Sequence, residues 1–252
     1  MLELTHPNEL RYEYKEPGYW VIHNPFSAGV DEYVKKVESQ KNYTNENKGA
    51  SNNPFQVINS QFWEETEYVS WVFLRDFYKH VVGESKRPKQ KDGVMGWINK
   101  YEKSNVICKG TAGIPHNDCQ EMIEGIVANF WMSENIQTSS TKFYSWEGEY
   151  IKEPNGNWNA FFDFACRPFH PLNPEFERMR KATCNTFPNL DEATLSRFGF
   201  TYEGEAPADP WKMTIYEFKR PHVAYIPEDV EYRLSSCFLY GIVPHPWFRD
   251  LP

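Results

Sequence analysis

The feature that most constrains the fold of this chain is a change of hydrophobic pattern near residue 96. Before that point apolar residues recur with helical spacing, as at Val30, Tyr33 and Val37. After it, short strand-like runs follow one another, separated by turn residues. Helices followed by seven or so antiparallel strands predict an α+β fold, a β-barrel or jelly roll with helices packed outside.

Two helices are predicted in the N-terminal part of the chain. The first follows a strand at 19–23 and begins after Ser27, a good N-cap residue. The second spans residues 62–82, where aromatic and Val residues have helical spacing. The polar stretch 39–60 between them is predicted to be a long loop. We therefore expect residues 1–95 to form a helical support for the barrel.

Residues 96–252 are predicted to form the barrel core. Asn155-Gly156 is a strong hairpin signal, and a helical insert is expected near 172–199. Residues 202–210 are predicted to be a loop. Because no feature marks a second domain, we predict one domain over 1–252. The predicted strands are 105–108, 123–132, 141–151, 158–166, 213–218, 222–226 and 230–243, the last interrupted at Ser235-Ser236.

Composition supports a folded β-rich protein. Hydrophobic residues make up 40% of the chain and aromatic residues 17%, whereas Leu occurs only 10 times. Aromatic rings pack well on a pleated sheet, so this balance favours strands and is unlike that of disordered chains.

Charge and cysteine content indicate where such a protein would act. The net charge of −8 provides no general attraction for nucleic acid. No apolar run approaches 18 residues, so no membrane span is predicted. The N-terminus lacks the pattern of a signal peptide. Five Cys without zinc-type spacing fit a reduced setting, and we expect a cytoplasmic protein.

The triplet His116-Asn117-Asp118 is the first candidate for a metal site. Seven His in a chain with 35 acidic residues among 252 predict about one His-x-acid pair by chance. The triplet therefore depends on its context, and that context is a pair of predicted strands on either side. Residues i and i+2 of a strand end point to the same side, so His116 and Asp118 could face the barrel interior together.

Several segments in order resemble the iron(II)/2-oxoglutarate-dependent dioxygenases. WVIHNPFSAGVDEYVKKVES is similar to the strand–helix entry of that family, and His116-Asn117-Asp118 to its metal-binding turn. TKFYSWEGEY resembles the strand that follows, and RPHVAYIPEDVEYR the segment that carries the family's distal His. The resemblance covers roughly residues 17–38, 96–151 and 213–243, and implies a double-stranded β-helix core.

The resemblance also implies a cofactor set and a reaction. Two His and one carboxylate hold Fe(II) and leave positions for 2-oxoglutarate and O₂. His116 and Asp118 would be two of the metal ligands and the catalytic centre. The implied activity is oxygenation, in particular hydroxylation, of a small molecule or a protein or peptide side chain.

The sequence departs from the family at two of its chemical anchors. Tyr232 stands where the distal His is expected, and LSSCFLYGIV contains no Arg or Lys for the far carboxylate of 2-oxoglutarate. The third ligand could be the phenolate of Tyr232, or another His, either His222 or His170.

Two other basic residues are candidates for holding the co-substrate. A carboxylate needs a nearby cation, which a basic residue on a different strand can supply. Lys142 and Arg233 are the residues that we expect to do so. The alternative is a protein that keeps the fold, has lost iron chemistry, and serves as a binding or structural module. The sequence predicts neither the substrate nor the oligomeric state.

Overall fold

The computed structural model describes residues 1–41, 55–59, 63–83, 90–103, 124–134, 138–146, 192–197 and 200–244. The predicted strands at 105–108 and 158–166 and the turn at Asn155-Gly156 lie outside these ranges. The strands, in chain order, are β1 (Glu3–Leu4), β2 (Tyr12–Lys15), β3 (Tyr19–Ile22), β4 (Phe26–Ala28), β5 (Phe55–Asn59), β6 (Gln90–Glu102), β7 (Glu124–Trp131), β8 (Ser140–Trp146), β9 (Phe200–Pro207), β10 (Met213–Glu217), β11 (His222–Tyr225) and β12 (Tyr232–Pro244).

Two antiparallel sheets form the body of the protein. The major sheet has seven strands in the order β2-β3-β10-β7-β12-β6-β5, and the minor sheet has three in the order β11-β8-β9. They pack face to face, because Phe143 of β8 stacks on Tyr19 of β3 and lies edge-on to Tyr216 of β10, with ring centroids 5.7 and 5.3 Å apart. A mostly antiparallel β-sandwich with few helices agrees with the predicted jelly-roll type of fold.

The N-terminal helices cover the other face of the major sheet. Tyr33 and Val37 of the first helix, and Phe73 and Phe77 of the longer helical segment, join one buried core with the sheet. The helices are α1 (Val30–Glu38), α2 (Glu64–Tyr68), α3 (Arg75–Phe77) and α4 (Glu192–Arg197), and π-helical turns at Val69–Leu74 and Tyr78–Gly83 extend α2 and α3. In the described ranges, no helix is long and apolar enough to cross a membrane.

The start of α1 differs from the prediction. Ser27 lies in β4, where its hydroxyl donates a hydrogen bond to the Glu3 carbonyl at 3.3 Å, and the N-cap residue is Gly29. Gly29 has φ of 80°, and a Cβ at this position would contact the Met1 carbonyl. The chain can turn into α1 here because glycine adopts this left-handed conformation without a side chain.

Strand β12 lies at the centre of the major sheet and supplies side chains to both of its faces. Leu234, Phe238 and Tyr240 point to the helices, and Cys237 and Leu239 point to the minor sheet. The face of the major sheet towards the helices is called the helix-side face, and the face towards the minor sheet is called the inter-sheet face. The alternation follows from the two-residue repeat of a strand.

The predicted break at Ser235-Ser236 is wrong. β12 pairs with β6 along its whole length and with β7 from Ser235 to Ile242. The Ser236 hydroxyl lies 2.7 Å from the Tyr33 hydroxyl on the helix side. Both serines are buried within a continuous strand, because the neighbouring strands satisfy the backbone there.

Several strands occupy segments predicted to be loop or helical support. β5 falls within the predicted loop 39–60, and β9 falls largely within 202–210. β2, β3 and β5 all belong to the major sheet, so residues 1–95 supply strands as well as helices. β2, β5 and β9 are edge strands, whose polar residues conceal the alternation that marks internal strands.

The predicted barrel strands within the described ranges are present, but β6 corrects the prediction: this internal strand of the major sheet lies at Gln90–Glu102, where no strand was predicted because its charged and polar residues conceal the alternation. β7, β8 and β10–β12 lie at the segments predicted from apolar content and alternation, with ends shifted by a few residues. Helix α4 falls within the helical insert predicted near 172–199, and the rest of that insert lies outside the described residues. The division of the whole chain into one domain stays a prediction.

Candidate functional site

The inter-sheet face is polar at one end. Thr214, Asn129 and Cys237 are register neighbours on β10, β7 and β12, so their side chains lie in one row. The Asn129 amide donates to the Tyr216 hydroxyl at 2.9 Å, and the Trp131 indole donates to the Thr214 hydroxyl at 3.1 Å. All of these side chains are buried. Buried polar groups held in this way form a fixed frame rather than a flexible surface.

Arg233 supplies a buried positive charge beside this frame. Its side chain is on the inter-sheet face of β12 and is 3% exposed. The guanidinium carbon lies 4.6 Å from the centre of the Trp131 ring, and Nη1 donates to the Tyr225 carbonyl at 3.4 Å. Burial lowers the pKa of Arg233 to about 10, so the group remains protonated at neutral pH. A buried, stacked guanidinium is suited to binding a carboxylate through two parallel hydrogen bonds.

His222 approaches the same space from the minor sheet. It is 4% exposed, is the register neighbour of Phe143, and its ring centroid lies 4.7 Å from that of Tyr216. Its Nδ1 lies 2.9 Å from the Arg220 carbonyl. Because a carbonyl only accepts, Nδ1 carries a proton, and in the neutral imidazole Nε2 then carries the lone pair. Metal-binding imidazoles are typically oriented by a hydrogen bond of this kind.

Tyr216 lies near both Arg233 and His222, which face the inter-sheet space from opposite sheets. Arg233 bonds to the carbonyl of Tyr225, three residues after His222 on the same strand. Tyr216 packs against the His222 ring and is also close enough to Arg233 to affect its pKa. A buried cation and a buried imidazole therefore both face the space between the sheets.

Tyr232 lies on the other side of the major sheet. It precedes Arg233 in β12, packs against the helix-side core, and borders a pocket with Val34 and Glu38 of α1. Burial, and then the Glu38 and Glu102 carboxylates, raises the pKa of Tyr232 to about 12. The hydroxyl thus keeps its proton at neutral pH, and the structure does not bring it to the inter-sheet face.

Lys142 lies on the outer face of the minor sheet. It alternates with Phe143 in β8, and its ammonium group is 3.6 Å from Glu192 of α4. The same group is 4.3 Å from the centre of the Tyr225 ring. Of the two cations predicted to hold a co-substrate, Arg233 faces the region between the sheets and Lys142 faces away from it.

His116, Asp118 and His170 lie outside the described residues, so their roles stay predictions. Within the described ranges, no group of three or more His, Cys, Asp or Glu could hold a metal ion. Sequence reasoning missed Asn129, Tyr216 and Trp131 as parts of the polar frame. Alternation along a strand places them on one face, but only the strand register shows which face it is.

Comparison with known proteins complements this geometry. No family model matches the sequence. No curated protein matches it either. Among solved structures, 41 chains match. One is the epimerase SnoN in complex with Fe³⁺, alpha-ketoglutarate and nogalamycin RO, with a TM-score of 0.52 and 13% identity, covering 88% of this chain and 78% of SnoN.

The chain has a SnoN-like fold. A second structure of SnoN, described as a non-haem alpha-ketoglutarate-dependent epimerase from nogalamycin biosynthesis, gives a TM-score of 0.50 at 13% identity and covers 88% of this chain and 76% of SnoN. The carbocyclase SnoK, from the same biosynthesis, gives a TM-score of 0.45 at 10% identity, with 91% and 83% covered. The structural neighbours are thus iron- and 2-oxoglutarate-dependent enzymes, and the SnoN likeness concerns the fold.

Proposed function

We propose that this protein is a non-haem iron(II)/2-oxoglutarate-type oxygenase with a double-stranded β-helix core. The observation that carries the proposal is that His222 and Arg233 are both buried facing the inter-sheet space, with Tyr216 near each of them. The proposed reaction is hydroxylation of a small molecule or of a protein or peptide side chain, in the cytoplasm.

The described residues fit part of the ligand set that such an enzyme needs. The hydrogen bond from Nδ1 of His222 to the Arg220 carbonyl leaves the lone pair on Nε2, the form of imidazole that binds a metal. We propose His222 as the distal His, with His116 and Asp118 as the other two ligands. Tyr232 is not part of this proposal because it packs on the helix-side core.

Arg233 is proposed to bind the far carboxylate of 2-oxoglutarate. Its guanidinium is buried and held against the Trp131 ring, so its orientation is set before the co-substrate arrives. In the dry inter-sheet space an ion pair with a carboxylate is stronger than it would be in water. Lys142 is not part of this proposal, because it lies on the outer face of the minor sheet, where it contacts Glu192.

The buried frame would orient the co-substrate and limit access of water. Asn129 donates to the Tyr216 hydroxyl, so that hydroxyl must direct its own proton to another acceptor. When bound, ferrous iron and 2-oxoglutarate together activate O₂ for oxidation of a substrate C–H bond. The chain's own contribution is to hold the ligands and to keep the carboxylate paired with Arg233.

Anaerobic Fe(II) titration tests the proposal. We expect the wild type to bind one Fe(II), and 2-oxoglutarate to add a visible charge-transfer band. His222→Ala and His116→Ala should each weaken iron binding by ten-fold or more. His23→Ala is the matched control, because His23 lies 3.1 Å from Glu13 of β2, at the edge of the major sheet, whereas β11 belongs to the minor sheet.

Two results would contradict the proposal. One is equal iron affinity in the wild type and His222→Ala. The other is an absence of 2-oxoglutarate turnover in the wild type with any candidate substrate. Either would leave the alternative of a non-catalytic protein that binds a partner between its sheets.

A further inference from the structure

Arg220 connects three separate segments of the chain. Its Nη1 donates to the Gly18 carbonyl in the β2–β3 turn at 3.0 Å, and its Nη2 bonds to the Glu203 carboxylate on β9 at 2.6 Å. The guanidinium carbon also lies 4.7 Å from the centre of the Phe143 ring on β8. The Arg220 side chain is 16% exposed and that of Glu203 is 35% exposed, so the ion pair lies at the edge of the packed region.

The backbone of the same residue holds His222. The Arg220 carbonyl accepts the hydrogen bond from Nδ1 of His222, and the next carbonyl, that of Pro221, accepts from the Tyr144 amide at 2.9 Å. The Arg220 amide donates to the Glu217 carbonyl at 3.1 Å, which closes the turn between β10 and β11. One residue therefore anchors its side chain in two segments and presents its carbonyl to the imidazole.

The β2–β3 turn is shaped to admit this side chain. Gly18 has φ of 128°, and a Cβ at this position would contact Nη1 of Arg220. On β9, Gly204 has φ of 147°, and a Cβ there would lie 2.9 Å from the Pro17 ring. Glycine at both positions allows the turn, β9 and the guanidinium to approach one another closely.

We propose that Arg220 is a positioning residue that sets the tautomer and ring orientation of His222. This inference rests on the proposed function for its metal-binding consequence. The ion pair with Glu203 and the bond to Gly18 hold the Arg220 peptide so that its carbonyl faces Nδ1. Without that anchor the Arg220 carbonyl can turn away from Nδ1. The ring can then carry its proton on Nε2, the nitrogen proposed to bind the metal.

The direct test is the tautomer of His222 in the metal-free protein. With ¹⁵N-labelled histidine, the two ring nitrogens are distinguished by NMR at about pH 8.5, where an ordinary imidazole is neutral. The His222 signals are assigned from their loss in His222→Gln. The test variants are Arg220→Gln, Arg220→Lys and Glu203→Gln. Arg75→Gln is the control, because Arg75 forms an exposed pair with Asp76 on the helix.

The expected result is a protonated Nδ1 in the wild type and Arg75→Gln, and a mixture of tautomers in Arg220→Gln and Glu203→Gln. Arg220→Lys keeps the charge but cannot bridge Gly18 and Glu203 together, so it should restore the wild-type tautomer only in part. Nickel(II) affinity, measured by calorimetry without turnover, should fall about ten-fold in Arg220→Gln.

The outcomes separate this inference from the proposed function. If Arg220→Gln and Glu203→Gln both fold and keep the wild-type tautomer, Arg220 has no positioning role. If Arg220→Gln fails to fold, Glu203→Gln alone decides, because its carboxylate is on β9, away from the Arg220 peptide. If the wild type binds no metal but the tautomer still changes, the positioning role stands and the proposed function fails.

Discussion

Tyr232 and Arg233 are neighbours in the chain and lie on opposite faces of the major sheet. Tyr232 packs towards α1, whereas Arg233 stacks on Trp131 between the sheets. Because side chains alternate along a strand, both cannot contribute to one site. Their separation supports the proposal of Arg233 as the co-substrate residue and leaves Tyr232 on the opposite face of the sheet.

Replacing Arg233 should weaken binding of 2-oxoglutarate. Loss of one partner of a buried charge pair costs about 2 to 5 kcal/mol, so Arg233→Gln should lower the affinity at least roughly 30-fold. The affinity of Arg233→Lys for 2-oxoglutarate should lie between those of the wild type and Arg233→Gln, because lysine keeps the charge and lacks the planar guanidinium. Calorimetry with nickel(II)-loaded protein measures this. Lys142→Gln is the control, and a similar loss in that variant would show that Arg233 is not the specific contact.

Tyr232→Phe should leave iron binding unchanged. The hydroxyl lies on the helix side and keeps its proton at neutral pH, since burial raises its pKa to about 12. Anaerobic Fe(II) titration should give the wild-type affinity within about two-fold, against a loss of ten-fold or more in His222→Ala. A large loss in Tyr232→Phe would instead return the phenolate to the ligand set.

Stability should fall as the pH rises from 10 to 12. The pKa of Tyr232 is raised from 10 to about 12 in the folded protein, so its stabilising contribution is complete below pH 10 and is lost as pH passes through 12. Two pKa units correspond to about 2.7 kcal/mol, and partial exposure reduces this to roughly 2 kcal/mol.

Urea unfolding at about pH 9 and 11.5 measures that loss. Tyr232→Phe should lose less stability than the wild type between the two pH values. Burial also raises the pKa of Tyr101 to about 12, so Tyr101 contributes to the loss of stability in both proteins. Tyr14→Phe is the control because Tyr14 is 55% exposed. Equal losses in Tyr232→Phe and the wild type would contradict the assignment.

Gly29→Ala should destabilise the protein by about 1 to 2 kcal/mol or more. An alanine would have to adopt a left-handed conformation, and its Cβ would contact the Met1 carbonyl. Ser27→Ala should cost less than about 0.5 kcal/mol, because Ser27 is exposed in β4 and does not cap α1. Chemical denaturation of both variants checks this, and the reverse order would support the original N-cap assignment to Ser27.

The sequence was most informative where strands are internal and apolar. β7 and β10 are buried on both faces, so their apolar content marked them clearly. β9 buries little beyond Phe200 and Ala206, and its Gly and Glu residues concealed an edge strand. In β12, Ser235 and Ser236 suggested a break because their burial depends on strands distant in the sequence.

The candidate site was predictable in residue type and not in arrangement. Because a carboxylate needs a cation, the sequence predicted Arg233 and Lys142 as residues that hold the co-substrate. Because the metal needs a further ligand, it predicted His222 as a candidate in addition to Tyr232. Choosing among them requires the register of β8, β11 and β12, since a shift of one residue exchanges the two faces. No pattern in the sequence pointed to Arg220, because its proposed role depends on its backbone carbonyl.

The central position of β12 restricts how this protein can change during evolution. Inserting or deleting one residue between Leu234 and Tyr240 would shift the strand register on one side of the change. In that part of β12, side chains that now face the helices would face the minor sheet, and the others would face the helices. Aromatic groups now beneath the helices would enter the polar space, or the Arg233 guanidinium would enter an apolar core. We therefore expect β12 to tolerate substitutions among homologues while its length stays constant, with length variation confined to the connections around it.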